Sequence, residues 1–347
     1  MKNTFLLAIA TYILVSCNTS PDLSLSALFP EERIPESSVL PIGPDEIQEP
    51  VLLASQDSML VCTNQMTKQV VRIYNLESGA FRDLIYIGRA KNELLNASAI
   101  WFSGDTLNVY SSNSGKILRI PSWELFEPQP EILSIPFPAG CSGLTSLAGN
   151  SGYATMNMLS DTPSQFLLLD RRGAEEAEFG NYPGTGSRGH YREARLVWQG
   201  KLAASPDGLH IAYASGFGNV FRFYDISDFS DISLVREYLF AEPEYISDSD
   251  PSGHRYSVIW EKTCRRGTLA MAGTDDGCYM LCDDARAVSD DDWRMNSVYC
   301  FDWEGNPLRK LYLGRRTQSI AYNHERHQLI ALTVNEQDEY VFVAYNL

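Results

Sequence analysis

One recurrence constrains this chain more than any other feature. Sets of four short apolar segments, each set closed by a polar loop, return along nearly its whole length. The first set is Val51–Ala54, Ser58–Cys62, Gln69–Tyr74 and Phe81–Ile87. The second is Ala99–Phe102, Thr106–Tyr110, Lys116–Ile120 and Ile132–Ile135. A third runs through Gly143–Leu147, Gly152–Thr155, Gln165–Leu169 and Ala177–Phe179, and a fourth through Leu202–Ala204, His210–Tyr213, Asn219–Tyr224 and Ser233–Leu239. The fifth is Thr268–Met271, Cys278–Cys282, Ser297–Trp303 and Leu308–Leu313. The last has three members, Ser319–Tyr322, Gln328–Leu332 and Tyr340–Tyr345. Segments this short, rich in β-branched and aromatic residues and bounded by Gly, Asn, Asp and Ser, are strands. A four-strand period of roughly 40–50 residues is the blade period of a propeller. The chain is therefore predicted to be all-β, a six-bladed β-propeller of four-stranded antiparallel blades occupying residues 37–347. A last blade of three strands would leave an unpaired edge, which invites association. An N-terminal strand at 38–42 is the natural closure. A β-sandwich is disfavoured because it has no use for so many strands.

The N-terminus carries a different signal. Lys2 precedes the apolar stretch Phe5–Val15, too short to span a bilayer as a mature helix. It ends in Leu14, Val15, Ser16 and Cys17, the pattern of a bacterial lipobox, with a small residue just before the cysteine. This predicts a signal peptide at 1–16, lipid on Cys17, and a tether at 17–36. The protein would then sit in the cell envelope, lipid-anchored at the outer membrane or a periplasmic face, with the membrane as one partner.

The chain has 44 acidic and 28 basic residues and a formal net charge of −16. Nucleic acid is excluded as a partner, since phosphate contacts need a basic face. Six cysteines remain beside Cys17. They lack the spacing of a disulfide framework or a zinc site. Cys62, Cys278, Cys282 and Cys300 fall within apolar runs, where cysteine acts as a small buried hydrophobe.

Three stretches carry a family likeness. Ser205–Ala214 (SPDGLHIAYA) resembles the turn-and-strand of TolB-type propellers: Pro206 presets φ, Asp207 caps the turn, and Gly208 supplies a positive φ. Ser297–Asn306 (SVYCFDWEGN) resembles a strand-turn of the TolB-like six-bladed β-propeller lipoproteins of Bacteroides-type bacteria. Tyr86–Leu94 (YIGRAKNEL) is similar to a glycine-and-glutamate loop of that family, with Gly88 and Glu93 in place and Ala90 and Asn92 departing from the pattern. The resemblance implies architecture, export and binding; it implies no reaction.

No catalytic signature is present: neither a nucleophile elbow, nor a phosphate-binding loop followed by a helix, nor an HExxH pair. Topology is more informative. In a propeller, loops between blades and loops joining second to third strands emerge on one face. The long loops 88–98, 180–196, 240–256 and 283–296 all share that face, and long loops on a rigid scaffold carry function. Their aromatic, basic and acidic residues form the candidate binding face: Tyr182, Arg188, His190, Tyr191, Arg192, Tyr245, Asp248, Asp250, His254 and Trp293. Such residues suit a protein or a glycan. No catalytic residue, metal or cofactor is expected, although the aspartates of 283–292 offer oxygens of the kind Ca²⁺ takes. The predicted function is a non-enzymatic binding or scaffold lipoprotein; the alternative is a propeller hydrolase or lyase acting on a glycan.

Overall fold

The computed structural model describes residues 24–29, 31–48, 50–64, 68–158, 162–183, 191–250, 255–283, 287–290 and 293–347. Strands dominate it. Four separate antiparallel sheets of four strands follow one another along the chain, each a simple meander. The first comprises Pro50–Gln56, Met59–Asn64, Gln69–Asn75 and Phe81–Tyr86, and the second Ala99–Ser103, Thr106–Ser111, Lys116–Pro121 and Leu133–Pro136. The third comprises Ser142–Ser146, Gly152–Met156, Ser164–Asp170 and Glu175–Asn181, and the fourth Gly200–Ala204, His210–Ser215, Asn219–Asp225 and Ser233–Ala241. The arrangement is propeller-like.

Besides a two-stranded ribbon, the rest of the β-structure is one eight-stranded sheet. Ala270–Gly273, Cys278–Leu281, Met295–Phe301 and Pro307–Asn323 pair in order and continue into Gln328–Val334, Tyr340–Asn346 and Ser37–Val39. The 17-residue strand Pro307–Asn323 belongs to both halves. Its first part lies beside Met295–Phe301 (Val298 opposite Leu311), and its second beside Gln328–Val334 (Ile320 opposite Ala331). Between them Gly314 has φ +67°, a left-handed conformation that costs glycine little. The chain changes direction there without ending the strand.

Two observations describe the assembly. The strands Pro50–Gln56, Ala99–Ser103, Ser142–Ser146, Gly200–Ala204, Ala270–Gly273 and Pro307–Asn323 are neighbours in that order, and the last also touches the first. Buried apolar clusters fill the spaces between consecutive sheets. Val61, Ile73 and Ile85 meet Val109 and Leu118; Phe166 and Leu168 meet Tyr213 and Tyr224; Phe221 and Phe223 meet Met280 and Phe301. Within the eight-stranded sheet, Tyr279, Val298 and Leu311 meet Leu329 and Val343, while Leu60 and Tyr74 of the first sheet meet Ile330 and Phe342. Sheets packed on both faces have no wet side, so their middle strands are buried nearly throughout: Asn219–Asp225 buries every residue but its last. Outer strands such as Ser233–Ala241 are largely exposed.

The N-terminal segment departs from expectation. Ser37–Val39 pairs antiparallel with the C-terminal strand, Ser37 opposite Tyr345 and Val39 opposite Val343, so the pairing starts one residue before the expected strand and stops at 39. Residues expected within the tether 17–36 are packed against the sheets instead. Leu25 and Phe29 are buried between the fourth and fifth strand sets, with Phe29 5.2 Å from the Tyr299 ring and 5.1 Å from that of Phe301. The Ser26 hydroxyl lies 2.8 Å from the Tyr299 hydroxyl. Glu32–Arg33 then runs parallel to Pro307–Asn323, and Glu32 pairs with Lys310 at 2.7 Å. Residues 24–48 form a strap around the outside of the eight-stranded sheet. Cys17 and the signal segment lie outside the described residues.

The turn Ser205–Gly208 has the expected chemistry. Gly208 sits at φ +74°, its N–H donates to Ser205 O (2.9 Å), and Leu209 N–H donates to Asp207 Oδ1 (2.9 Å). Cys62, Cys141, Cys264, Cys278, Cys282 and Cys300 are all buried free thiols, and burial pushes the Cys62 thiol up to about 12.

Candidate functional site

The strand order places the sheet-to-sheet connections and the second-to-third-strand loops at one end of the propeller axis. A cavity of about 710 Å³ opens there. Its walls are the first residues of the innermost strands, including Ser98, Ser142, Gly200 and Thr268, and its mouth is formed by Gln199, Phe217, Arg266 and Trp293. A smaller cavity of about 390 Å³ lies at the other end, among Gln56, Gly104, Gly273 and His324. Leu53, Ile100, Trp101, Met271 and Ile320 line both, so the two lie along one axis.

The residues expected on the long-loop face do not all serve one purpose. Tyr182 is not a binding residue: it is buried with Ala194, Val197, Trp198 and Val220, and its hydroxyl donates to Asn157 O at 3.1 Å. Burial raises its phenol above the ordinary value. Its ring fastens the loop to the sheet. Tyr191 begins the short helix Tyr191–Val197 and packs half-buried against the same cluster. Arg188, His190 and His254 lie outside the described residues, as does most of the aspartate run. Among the described residues no group of three or more His, Cys, Asp or Glu could hold a metal ion.

The remaining candidates gather on a feature without a counterpart in the sequence reading. Tyr245–Ser247 and Val258–Trp260 form a two-stranded antiparallel ribbon within the connection after the fourth sheet. Ile246 faces Ile259 across it, and both side chains are more than half exposed. Ser247 Oγ donates to Glu193 Oε1 at 2.5 Å, tying ribbon to helix. Arg192 is exposed, with its guanidinium 5.2 Å from the Tyr256 ring centre. Asp248 pairs with Arg255 at 3.3 Å, both exposed, and Asp250 N–H donates to Arg255 O at 2.8 Å. Exposed Tyr245 sits 6.4 Å from the Trp260 ring, which stacks on Phe217 at 3.7 Å. Phe217 in turn lines the cavity, so an aromatic path leads from the ribbon to its mouth. Trp293 reaches the same mouth from another loop, half-buried, with the Arg294 guanidinium 5.9 Å from its ring.

Sequence reasoning missed Phe217, Trp260, Lys201 and Arg266. Phe217 and Trp260 are far apart in the chain and acquire a role only by stacking. Lys201 interrupts an apolar innermost strand, and that interruption was its available signal. The cavity's electrostatics rest on the last two. Lys201 and Arg266 are the charged side chains among the described residues that line it, and no Asp or Glu joins them. Desolvation lowers the Lys201 ammonium from the usual lysine range. Among the described residues no carboxylate lies within ion-pair distance of it. Arg266 donates to Val288 O at 3.1 Å.

At the opposite mouth His324 Nδ1 lies 3.2 Å from Asp275 Oδ1, and His327 adopts φ +51° in the turn between two strands. The glycine-and-glutamate loop closes on itself: Gly88 N–H donates to Leu94 O (3.1 Å) and Ala90 N–H to Glu93 Oε2 (3.0 Å). A Cβ at Gly88 would meet only the end of the Glu93 side chain, which could shift.

No protein-family model matches the chain, and no curated protein does. Solved structures do. The chain is similar to the "Putative exported protein" of Bacteroides fragilis at 10% identity and TM-score 0.55, covering 94% of this chain and 97% of that one. It is similar to a member of the DUF4221 family from Bacteroides vulgatus at 11% identity and TM-score 0.55, covering 90% and 96%. A section of Raptor from Chaetomium thermophilum superposes with TM-score 0.50 at 13% identity, covering 91% of this chain and 29% of that one. At these identities the likeness is one of fold: an all-β, propeller-like arrangement of antiparallel sheets.

Proposed function

We propose that this chain is an exported, lipid-anchored, non-enzymatic binding or scaffold protein, whose six-bladed propeller of the TolB-like kind engages a protein or a glycan through its long-loop face. The six-fold count treats the eight-stranded sheet as two blades sharing Pro307–Asn323. It is supported by the closed succession of innermost strands and by the apolar cluster between every consecutive pair of sheets. Export is supported by the N-terminal sequence, and the Bacteroides fragilis neighbour is itself described as exported. Among the described residues no helix is long and apolar enough to cross a membrane; attachment through Cys17 is read from the lipobox-like pattern of the sequence. Replacing it (Cys17→Ala) should move the protein from the membrane fraction to the soluble fraction with its thermal unfolding unchanged. A variant that stays membrane-bound overturns the anchor.

The observation that carries the binding role is the exposed ribbon, with Tyr245, Ile246, Ile259 and Arg192 joined by stacked rings to a sizeable cavity. Exposed aromatic, apolar and arginine side chains concentrate interface energy. Binding is favoured over turnover because glycoside hydrolysis uses a pair of carboxylates, whereas the described lining carries two cations. The test compares two folded double variants: Arg192→Ala with Tyr245→Ala on the ribbon, and Trp123→Ala with Glu304→Ala on the short-turn face. Trp123 is 68% exposed and Glu304 lies in a surface turn. Retention of envelope proteins or arrayed glycans should fall tenfold or more for the first and persist for the second. The reverse pattern refutes the face.

A further inference from the structure

A cationic, polar cavity in a strongly acidic protein calls for an explanation. Among the described residues, the polar groups on its walls other than Lys201 and Arg266 are neutral donors and acceptors, including Ser98, Ser142, Gln199 and Gln318. Phe217 and Trp293 supply flat apolar surface at the mouth. About 710 Å³ lies within the range of pockets that enclose small organic molecules.

Lys201 is the informative member. A partly enclosed ammonium without a carboxylate partner costs stability. Burial also makes its charged form harder to hold, as its lowered pKa reflects. A methionine of similar reach would fit the apolar strand Gly200–Ala204 better. Ionisable groups kept in a cleft against their own solvation mark sites with a task. Two cations lining one cavity, a partly enclosed point charge on its wall and a planar fork at its mouth, suit an oxyanion. Hydroxyl and amide walls add partners for ligand hydroxyls, and aromatic rings can lie against a sugar or short carbon skeleton.

We infer that the axial cavity at the long-loop end binds a small hydroxylated carboxylate, a sugar acid or hydroxy acid, held by Lys201 and Arg266. The inference rests on reading this end as the binding face, and it assigns the cavity a ligand of its own, separate from whatever the ribbon engages.

Isothermal titration of the Cys17→Ala protein with digalacturonate, citrate, neutral galactobiose and inorganic phosphate tests it. Digalacturonate or citrate should bind saturably. Lys201→Gln and Arg266→Gln should each weaken that binding tenfold or more, and Lys201→Arg should hold it within a few-fold. Galactobiose should bind at least tenfold more weakly. Separately, Lys201→Met should raise the melting temperature by a few degrees while abolishing binding, because a function-bearing charge is removed from a site that prefers an apolar side chain. The Arg192→Ala/Tyr245→Ala ribbon variant should bind the anion normally, so loss of partner capture and loss of anion binding are separate results. The inference is overturned if neither carboxylate binds, if galactobiose binds as tightly, if phosphate alone binds, or if Lys201→Gln and Arg266→Gln, shown folded by circular dichroism, leave affinity unchanged.

Discussion

Deleting residues 1–44 should yield a protein that fails to fold or that self-associates, a larger effect than any surface change. The deletion removes Leu25, Phe29 and Ile42, all buried. Burying one large apolar side chain contributes roughly 1.5–3 kcal/mol, so the three together represent on the order of 5–9 kcal/mol. Total stability of a domain is only roughly 5–15 kcal/mol. The deletion also strips Ser37–Val39 from Tyr340–Asn346 and bares its N–H and C=O groups. Size-exclusion chromatography with light scattering and a thermal melt would measure both effects. The two causes separate in point variants. Phe29→Ser should lower the melting temperature without association. Leu40→Pro, which removes the N–H donated to Phe342 O at 2.9 Å, should promote association at smaller thermal cost. A monomeric deletion variant with an unaltered melt would show that the strap closes nothing.

Arg222→Ala should destabilise the protein by about 2–4 kcal/mol, through a buried acceptor left unsatisfied and the void left by truncation, since its ion-pair partner Glu237 is partly exposed. Arg222 is buried between the third and fourth sheets. Its Nε–H donates to Glu237 at 2.8 Å, and Nη1 donates to Gln165 Oε1 at 2.6 Å and to Asn181 O at 2.9 Å. Truncation would leave the buried Gln165 Oε1 short of a donor, at about 1–3 kcal/mol, and would open a void; Asn181 O, on an exposed residue, can turn to water. Arg222→Met fills the void and should recover part of the loss. Adding Gln165→Leu to Arg222→Met should recover more, since both ends of that bond are then apolar. Urea midpoints of the three variants give the comparison. Asp276→Ala, which removes the partner of the partly exposed Arg309, should cost at most about 1 kcal/mol. If Arg222→Ala cost no more than that, the buried network would be stabilising nothing.

What could be read in the sequence followed the range of its causes. Strand sets and turns are local: an apolar run closed by Ser205–Gly208 specifies its hairpin without reference to the rest of the chain. The shared face of the long loops was legible too, because strand order alone dictates it. The strap was not. Leu25 and Phe29 sit among Ser, Pro and Glu residues without strand or helix periodicity, and only the groove beside Tyr299 and Phe301 makes them core. Tyr182 misled for the converse reason: an aromatic in a loop reads as exposed, yet its ring holds that loop to the sheet. The ribbon 245–260 was unreadable because its two strands are three residues each. Cavity residues such as Phe217, Arg266 and Trp293 meet only once the ring brings distant loops to one axis.

The pairing of Ser37 with Tyr345 also bears on timing. The pairing that covers the last sheet's edge joins residues 37–39 to residues 343–345, so it closes a very long loop, and such contacts form late. A polypeptide emerging from N- to C-terminus can assemble its early sheets one by one, each from neighbouring strands. It cannot latch the ring until its final seven-residue strand, Tyr340–Asn346, has appeared. Until then the strap has no edge to cover, and the circle is an open arc with two unsatisfied ends. The latch therefore waits on residues 343–345: a product stopped before Val343 would lack it and would expose an unpaired sheet edge to proteases.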